Sequence, residues 1–301
     1  PVSMNIIGRK YIFLSLSGIL VIASFLAIGV WGLRLGIDFT GGSLLAVSFT
    51  DMRPASEAIS DKMSGLGMGN VGVELAGERD VFLRFRSVGE EKHQEIMRAL
   101  GELGAVQEKQ FTTIGPTIGK ELKNRALLAL GLALVLIVLY ITWAFRQVSL
   151  PLASWKYGSV AVVVALFHDI IIPTGALALL GHFVGVEADA LFVTALLTIL
   201  GFSVHDTIVV FDRTRENLRN LKKSEPFEDT VNQSVNETFA RSVFTSLTVL
   251  LVLAAVLFLG GASTKYFALT LIIGVLLGTY SSIFVASPLL VIWNDFTKKR
   301  G

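Results

Sequence analysis

An acidic side chain stands inside an apolar stretch of this sequence. Residues 191–211 (LFVTALLTILGFSVHDTIVVF) are apolar enough to cross a bilayer, yet they contain His205 and Asp206. A carboxylate in hydrocarbon costs about 2.5–3.5 kcal/mol on insertion scales, so it persists only where it faces protein or water. Asp206 is therefore a candidate for handling protons or ions, with a structural hydrogen bond between helices as the alternative. On a helix, His205 points about 100° away from Asp206, so we expect it to bond a neighbouring helix.

A basic residue, Arg241, stands where a later apolar stretch begins. It lies in NETFARSVFTS (residues 236–246), and residues 227–241 predict an amphipathic helix that continues directly into that stretch. If Arg241 is drawn inward it pairs with Asp206, and protonation of the carboxylate then loosens the pair. Alternatively, Arg241 extends toward the membrane surface as an interface anchor.

The pair His168 and Asp169 is a third polar site, within apolar residues 157–180. Pro173 follows on the same predicted helix, and a proline frees the carbonyl of residue 169 and can kink the helix there. The pair predicts either a proton relay or a polar kink that lines a cavity.

These residues lie in a chain with several membrane-length apolar stretches. With 52% hydrophobic and 17% charged residues, it is too apolar for an ordinary soluble domain. At about 1.5 Å per residue, roughly 20 helical residues cross a hydrocarbon core of about 30 Å. The stretches that qualify are residues 12–31, 127–145, 157–180, 191–211, 243–259 and 267–293. No small-residue cleavage site follows the first, so we interpret it as a retained span rather than a signal peptide.

Basic residues divide unequally between the two sides of this predicted membrane domain. If residues 1–10 are cytoplasmic, the short loops of the opposite side carry only Lys265. The cytoplasmic segments, including residues 212–242, then carry Arg9, Lys10, Arg146, Lys156, Arg213, Arg215, Arg219, Lys222, Lys223, Lys298, Lys299 and Arg300. By the positive-inside rule, both termini are cytoplasmic and residues 34–125 are extracytoplasmic.

Residues 34–125 are charged and contain no apolar run long enough to cross a membrane. Their patterns predict strands at residues 43–50, 70–76, 80–87 and 106–113, and helices at residues 53–68 and 90–103. The order β-α-β-β-α-β is typical of a ferredoxin-like domain. The predicted fold is a polytopic α-helical membrane protein of six transmembrane helices, with this α+β ferredoxin-like extracytoplasmic domain between the first two. The expected segments are residues 1–33, 34–125 and 126–301.

Composition argues against several other classes of protein. The absence of cysteine excludes disulfide, thiolate and Cys-zinc chemistry, and four scattered histidines leave little for a metal site. A net charge of only +2 gives no indication of nucleic-acid binding. Residues 115–121 (GPTIGKE) fail as a phosphate loop because their glycine spacing is one short and Glu121 stands where Ser or Thr must hold magnesium. No nucleophile–base arrangement is evident, so we expect neither an enzyme nor a cofactor.

Small residues recur at four-residue spacing in the last predicted span, at Gly274, Gly278, Ser282 and Ala286. This pattern allows another helix to approach closely. We expect packing within the chain, and contact with a partner helix is the alternative.

Four segments in this order, with His168 and Asp169 between the second and third, resemble the SecF family. They are residues 35–42 (LGIDFTGG), 115–122 (GPTIGKEL), 201–217 (GFSVHDTIVVFDRTREN) and 241–246 (RSVFTS). SecF proteins are six-span subunits of the bacterial SecDF protein-export complex, in the resistance-nodulation-division superfamily. The positions that match the glycine motifs are Gly36, Asp38, Gly41, Gly42, Gly115, Pro116 and Gly119. His205 departs from the asparagine that is more usual before the aspartate.

The resemblance implies a bacterial inner-membrane protein, embedded in lipid, that works with SecD and the SecYEG channel. It implies that proton flow pulls an unfolded polypeptide outward, and that Asp206 and Arg241 are the charged residues required for proton conduction. In some members SecD and SecF are fused, and Pro1 is what a cut from such a longer chain would leave. Two other functions stay open: half of a proton-coupled small-molecule efflux transporter, and a passive scaffold whose buried charges only fix helix packing.

Two expectations concern the extracytoplasmic residues. Without a cysteine, a metal cluster or a phosphate loop, they are expected to hold unfolded polypeptide through strand edges and apolar surface. The glycine-bearing segments 33–42 and 114–120, which join them to the first two spans, are expected to act as hinges.

Overall fold

Long apolar stretches form long helices in the computed structural model, which describes residues 4–68, 71–144, 164–220 and 226–298. Within those residues, six helices are long and apolar enough to cross a membrane, as the sequence predicts. They are Ile7–Trp31, Pro116–Ala144, Val164–Val184, Ala190–Arg219, Phe227–Leu259 and Thr264–Phe296. The chain is therefore a multi-pass membrane protein. It divides into two units, one of Pro1–Arg34 with Leu128–Gly301 and one of Leu35–Leu127.

The elements have the following bounds, in chain order. They are α1 (Lys10–Trp31), α2 (Ile37–Thr40), β1 (Gly42–Phe49), α3 (Ser56–Gly65), β2 (Gly72–Ala76), β3 (Asp80–Phe85), α4 (Glu90–Gly101), β4 (Val106–Ile114), α5 (Pro116–Ala144), α6 (Phe167–Val184), α7 (Ala190–Asn220), α8 (Phe227–Leu259), α9 (Ala262–Ser281), a π-helix (Ser282–Ala286) and α10 (Ser287–Lys298).

Two helices continue well beyond the apolar stretches that define their spans. Helix α7 continues through the charged residues 212–217, where Arg213 pairs with Glu216 at 2.6 Å and Arg215 with Asp212 at 3.1 Å. Pairs at this spacing stabilise a helix in water. Helix α8 begins at Phe227 and runs without a break to Leu259, which confirms that the amphipathic segment continues directly into the fifth span.

Non-α geometry occurs in two spans. Of the predicted third span, residues 157–163 lie outside the described residues; residues 164–166 are π-helical and lead into α6, which contains Pro173. The last span passes from α9 through the π-helix Ser282–Ala286 into α10. Single π-helical turns inside α-helices occur frequently at functional sites.

The unit Leu35–Leu127 has the predicted ferredoxin-like fold. Its strands form an antiparallel sheet in the order β2-β3-β1-β4. Alternate residues of the central strands face a core shared with α3 and α4, since Leu45 of β1 pairs with Leu83 of β3 and both are fully buried. Helix α3 is shorter than the predicted residues 53–68, because Ala55 is extended and the left-handed Gly67 (φ 69°) follows its end. Residue 70, the predicted start of a strand, lies outside the described residues.

The two glycine-motif segments meet within this unit. Gly36 caps the short helix α2, Asp38 lies in its first turn, and Gly41 and Gly42 with positive φ lead into β1. Pro116 begins α5, so GPTIGKE is the start of a helix. A Cβ on Gly41 would lie 2.7 Å from Pro116 Cα, and one on Gly119 would lie 2.7 Å from Gly41 N. These glycines allow two backbone segments to touch. That residues 33–42 and 114–120 act as hinges stays a prediction.

Gly119→Ala should weaken this contact. The new Cβ would overlap the backbone of Gly41, and overpacking of this kind costs about 1–3 kcal/mol. Hydrogen–deuterium exchange of the β1 and β4 amides in the full chain should accelerate accordingly. Gly115→Ala is the matched control, since a Cβ there meets nothing within 4 Å. Equal exchange in the two variants would contradict the packing role.

Candidate functional site

Asp206 is buried on α7 and incompletely hydrogen-bonded. Its side chain is 6% exposed, and Ser242 Oγ of α8 donates to Oδ1 at 2.5 Å. Its other oxygen, Oδ2, has no hydrogen-bond partner among the described residues. Leaving a buried polar atom unpaired costs about 1–3 kcal/mol, more when it is charged. The carboxyl is therefore placed to accept a proton or a further donor.

Asp169 on α6 is fully buried and, unlike Asp206, fully hydrogen-bonded. Ser203 Oγ and Ser281 Oγ donate to Oδ2 at 2.5 and 2.7 Å, and His168 Nδ1 lies 2.8 Å from Oδ1. The His168 ring stacks on Tyr280 at 6.1 Å, and its Nε2 has no hydrogen-bond partner within the part of the chain the structure describes. Three donors make Asp169 a strong acceptor site between α6, α7 and α9.

Hydroxyl groups lie between the two carboxylates. Ser282, the first residue of the π-helix, lies close to the Asp206 carboxylate, but its Oγ donates to Gly278 O at 2.8 Å. Its Oγ is also 3.0 Å from Thr207 Oγ1. We define the buried polar cluster as His168, Asp169, Ser203, Asp206, Thr207, Ser242, Ser281 and Ser282. All of its members are buried.

Glycines allow the last span to reach this cluster. A Cβ on Gly278 would lie 3.2 Å from Ser203 Cβ, and one on Gly274 would lie 2.1 Å from Ile199 Cδ1. The small-residue pattern thus packs α9 against α7, as expected for packing within the chain. Without this close approach, Ser281 would not reach Asp169.

Charged groups fix α7 against α8 near the end of the cluster. Glu237 of α8 accepts from Arg213 Nε at 2.5 Å and from Asn217 Nδ2 at 2.8 Å. The Asn217 amide also donates to Ser234 at 2.9 Å. This network holds the two helices in the register that places Ser242 beside Asp206.

Arg241 and His205 do not enter the cluster. Both are exposed, and neither has a hydrogen bond or ion pair to any described residue. Both lie near enough to Asp206 to interact with it electrostatically. The structure therefore lacks the direct ion pair between Arg241 and Asp206. Ser242, the residue after Arg241, makes the contact with Asp206 instead. His205 has no hydrogen bond to a neighbouring helix within the described residues, so that bond stays a prediction.

The serines were not predicted as site residues. The available signal was hydroxyl residues at helical spacing within apolar spans: Ser203 and Thr207 flank Asp206, and Ser281 and Ser282 are adjacent. Within the described ranges, no group of three or more His, Asp or Glu side chains is placed to hold a metal ion.

Comparison with known proteins identifies the family of this chain. Residues 93–295 match the family model for the C-terminal region of the protein export membrane proteins SecD and SecF, and residues 27–51 match the SecD/SecF GG motif. This chain belongs to the SecD/SecF protein-export family. The GG-motif match contains the close-packed Gly41 and Gly42.

Individual relatives support the same family. The chain is 41% identical to the protein translocase subunit SecF of Thermobaculum terrenum, over 97% of this chain and 94% of that protein. It is 38% identical to the SecF subunit of Anaerolinea thermophila, again over 97% and 94%. The crystal structure of SecDF, a translocon-associated membrane protein from Thermus thermophilus, superposes with a TM-score of 0.85 at 33% identity. That match covers 97% of this chain but 39% of the SecDF chain. The resemblance seen in the sequence is confirmed, and a role in Sec protein export follows from it.

Substitution by leucine should distinguish the two carboxylates. Asp169→Leu leaves the donors of Ser203 and His168 without their acceptor, while Ser281 keeps Gly278 O; Asp206→Leu leaves only the donor of Ser242 unpaired. At about 1–3 kcal/mol for each unpaired buried donor, Asp169→Leu should reduce the free energy of unfolding by about 1 kcal/mol or more beyond Asp206→Leu. Denaturant titration of the full chain in lipid bicelles measures this difference, and equal losses would contradict the bonding described here.

Proposed function

We propose that this chain uses proton flow through its transmembrane region to promote translocation of polypeptides, with Asp206 as the group that binds and releases the proton. The observation that carries the proposal is the buried, unpartnered Oδ2 of Asp206. A carboxyl with one satisfied and one free oxygen is suited to both of its protonation states.

The proton gradient supplies the energy for this process. Each proton that crosses the membrane releases about 2.3 kcal/mol per 100 mV of potential. Several crossings together can drive steps of an exporting chain. His168 and Asp169 belong to the same path in this proposal, with Asp169 as an internal acceptor and His168 Nε2 as a buried atom open to a donor.

We infer that SecD supplies a second six-span half beside this chain. This chain matches only 39% of the solved SecDF chain, which is therefore the longer of the two. Arg241 and the neighbouring apolar residues Val243, Phe244 and Leu247 of α8 are exposed, and a partner helix would cover them. Transporters built from two related halves place their ion sites at the interface between them. In this arrangement an acidic residue of the partner pairs with Arg241, and the proton path lies between the halves.

The proposed location and remaining partners follow from topology and family. Excess Lys and Arg on one side favours cytoplasmic termini, an extracytoplasmic ferredoxin-like unit and residence in the bacterial inner membrane. The unfolded polypeptide and the SecYEG channel are the proposed partners there. The efflux alternative lacks support because the matched relatives are translocase subunits.

Asp206→Asn should abolish proton-dependent export while folding and assembly with SecD remain intact. The amide keeps the size and hydrogen-bonding capacity of the side chain but cannot titrate. The measurement is precursor export into proteoliposomes containing SecYEG, its ATPase motor and the SecDF pair, with and without a proton gradient, together with proton flux. Asp212→Asn is the control, since it removes an exposed carboxylate from the same helix.

Two other variants rank the charged residues. Arg241→Met should approach the defect of Asp206→Asn, because it removes the nearby cation, and Asp169→Asn should be milder. Normal proton conduction and export in Asp206→Asn would exclude the mechanism. Loss of assembly in that variant would favour the passive scaffold.

A further inference from the structure

Two consecutive serines of the last span, Ser281 and Ser282, lie near the two buried carboxylates. Ser281 Oγ donates to Asp169 Oδ2 at 2.7 Å, and Ser282 lies close to Asp206. Both hydroxyls also lie within hydrogen-bond distance of one carbonyl oxygen, Gly278 O, at 3.1 Å from Ser281 and 2.8 Å from Ser282. Each serine therefore has a choice of acceptor between a carboxylate and the same backbone oxygen.

Gly278 O is a crowded acceptor. Besides the two hydroxyls it accepts the backbone N–H of Ser282. A carbonyl oxygen has two lone pairs, and each hydroxyl has one hydrogen to give. The two serines therefore compete, and a shift of one toward its carboxylate frees the oxygen for the other.

The π-helix gives these serines their position. Ser281 ends α9 and Ser282 begins the π-helical segment. Where α10 begins, Ser287 Oγ donates to Ser282 O at 2.9 Å. Adjacent residues of a regular α-helix point about 100° apart, so they address different neighbouring helices. Here Ser281 addresses Asp169 on α6 and Ser282 addresses Asp206 on α7.

We propose that Ser281 and Ser282 are positioning residues that couple the protonation of Asp169 to that of Asp206 through the Gly278 carbonyl. When Asp206 releases its proton, the Ser282 hydroxyl turns from Gly278 O to the free Oδ2 of Asp206. The Ser281 hydroxyl then turns from Asp169 to Gly278 O. Asp169, with one donor fewer, becomes the better proton acceptor. The pair of carboxylates thus favours one charge at a time.

Other groups also face the two carboxylates. Asp206 is faced by Ser242 and the more distant Arg241 of α8 and has His205 beside it on α7. Asp169 is faced by Ser203 of α7 and His168 of its own helix, with Tyr280 stacked on the histidine. Thr207, the residue after Asp206, donates to Ser203 O at 2.9 Å and lies 3.0 Å from Ser282 Oγ. Of these groups, only Ser281 and Ser282 share the acceptor Gly278 O.

The test is infrared difference spectroscopy of the full chain in lipid bilayers during a pH titration. Carboxyl bands are assigned with Asp169→Asn and Asp206→Asn. Neutralising Asp169 should change the proton concentration at which Asp206 half-titrates by about tenfold, the coupling expected of interacting sites. In Ser282→Ala or Ser281→Ala, the same neutralisation should change it clearly less, because only the direct charge–charge interaction between the carboxylates remains.

Ser287→Ala is the matched control, because its buried hydroxyl bonds only backbone of the same span. It should retain the coupling. Persistent coupling in Ser282→Ala, or its equal loss in Ser287→Ala, would overturn the inference, since helix geometry rather than the hydroxyls would then be responsible.

Export provides a separate readout that rests on the proposed function. Proton-driven export by the assembled complex should fall about tenfold in Ser282→Ala, the effect of losing one hydrogen bond to a charged group. Undiminished proton-driven export in this variant would overturn the inference. If export proves independent of protons while the spectroscopic coupling is observed, the proposed function fails and the coupling stands.

Discussion

Carboxylates buried between apolar helices are the constraint on which the membrane unit depends. Both Asp169 and Asp206 are buried, and hydroxyls of neighbouring helices donate to each of them, together with His168 for Asp169. Each such contact fixes the register of two helices. The small residues at Gly274 and Gly278, and the charged network at Glu237, then serve to bring those hydroxyls within reach.

The unequal bonding of the two carboxylates separates their roles. Asp169 has a donor from each of three helices and strengthens the packing of the bundle. Asp206 has one donor and one free oxygen, so either protonation state is accommodated without rebuilding the helices around it. In the proposed function this incomplete bonding suits Asp206 to titration, whereas the bonds to Asp169 join α6, α7 and α9.

Much of the fold could be predicted from the sequence, because its signals are local. Apolar length identifies spans, strand alternation identifies the ferredoxin-like sheet, and an acid in hydrocarbon identifies Asp206. The partners of that acid are tertiary. A serine in an apolar helix, such as Ser282, could equally be a packing residue, so its type does not predict a polar contact. Which residue of α8 faces Asp206 depends on how that helix packs, and Ser242 faces it rather than Arg241. Likewise, the close packing of Gly41 against Gly119 depends on two segments that are distant in sequence, so it could not be predicted from either segment alone.

We propose that Asp206 changes its protonation state while the chain works. Time-resolved infrared spectroscopy of the Asp206 carboxyl can follow this change while a proton gradient drives export by the reconstituted complex. The band of the protonated acid should appear and disappear with turnover, and it should be absent in Asp206→Asn. A carboxyl that keeps one protonation state throughout sustained export would contradict this proposal.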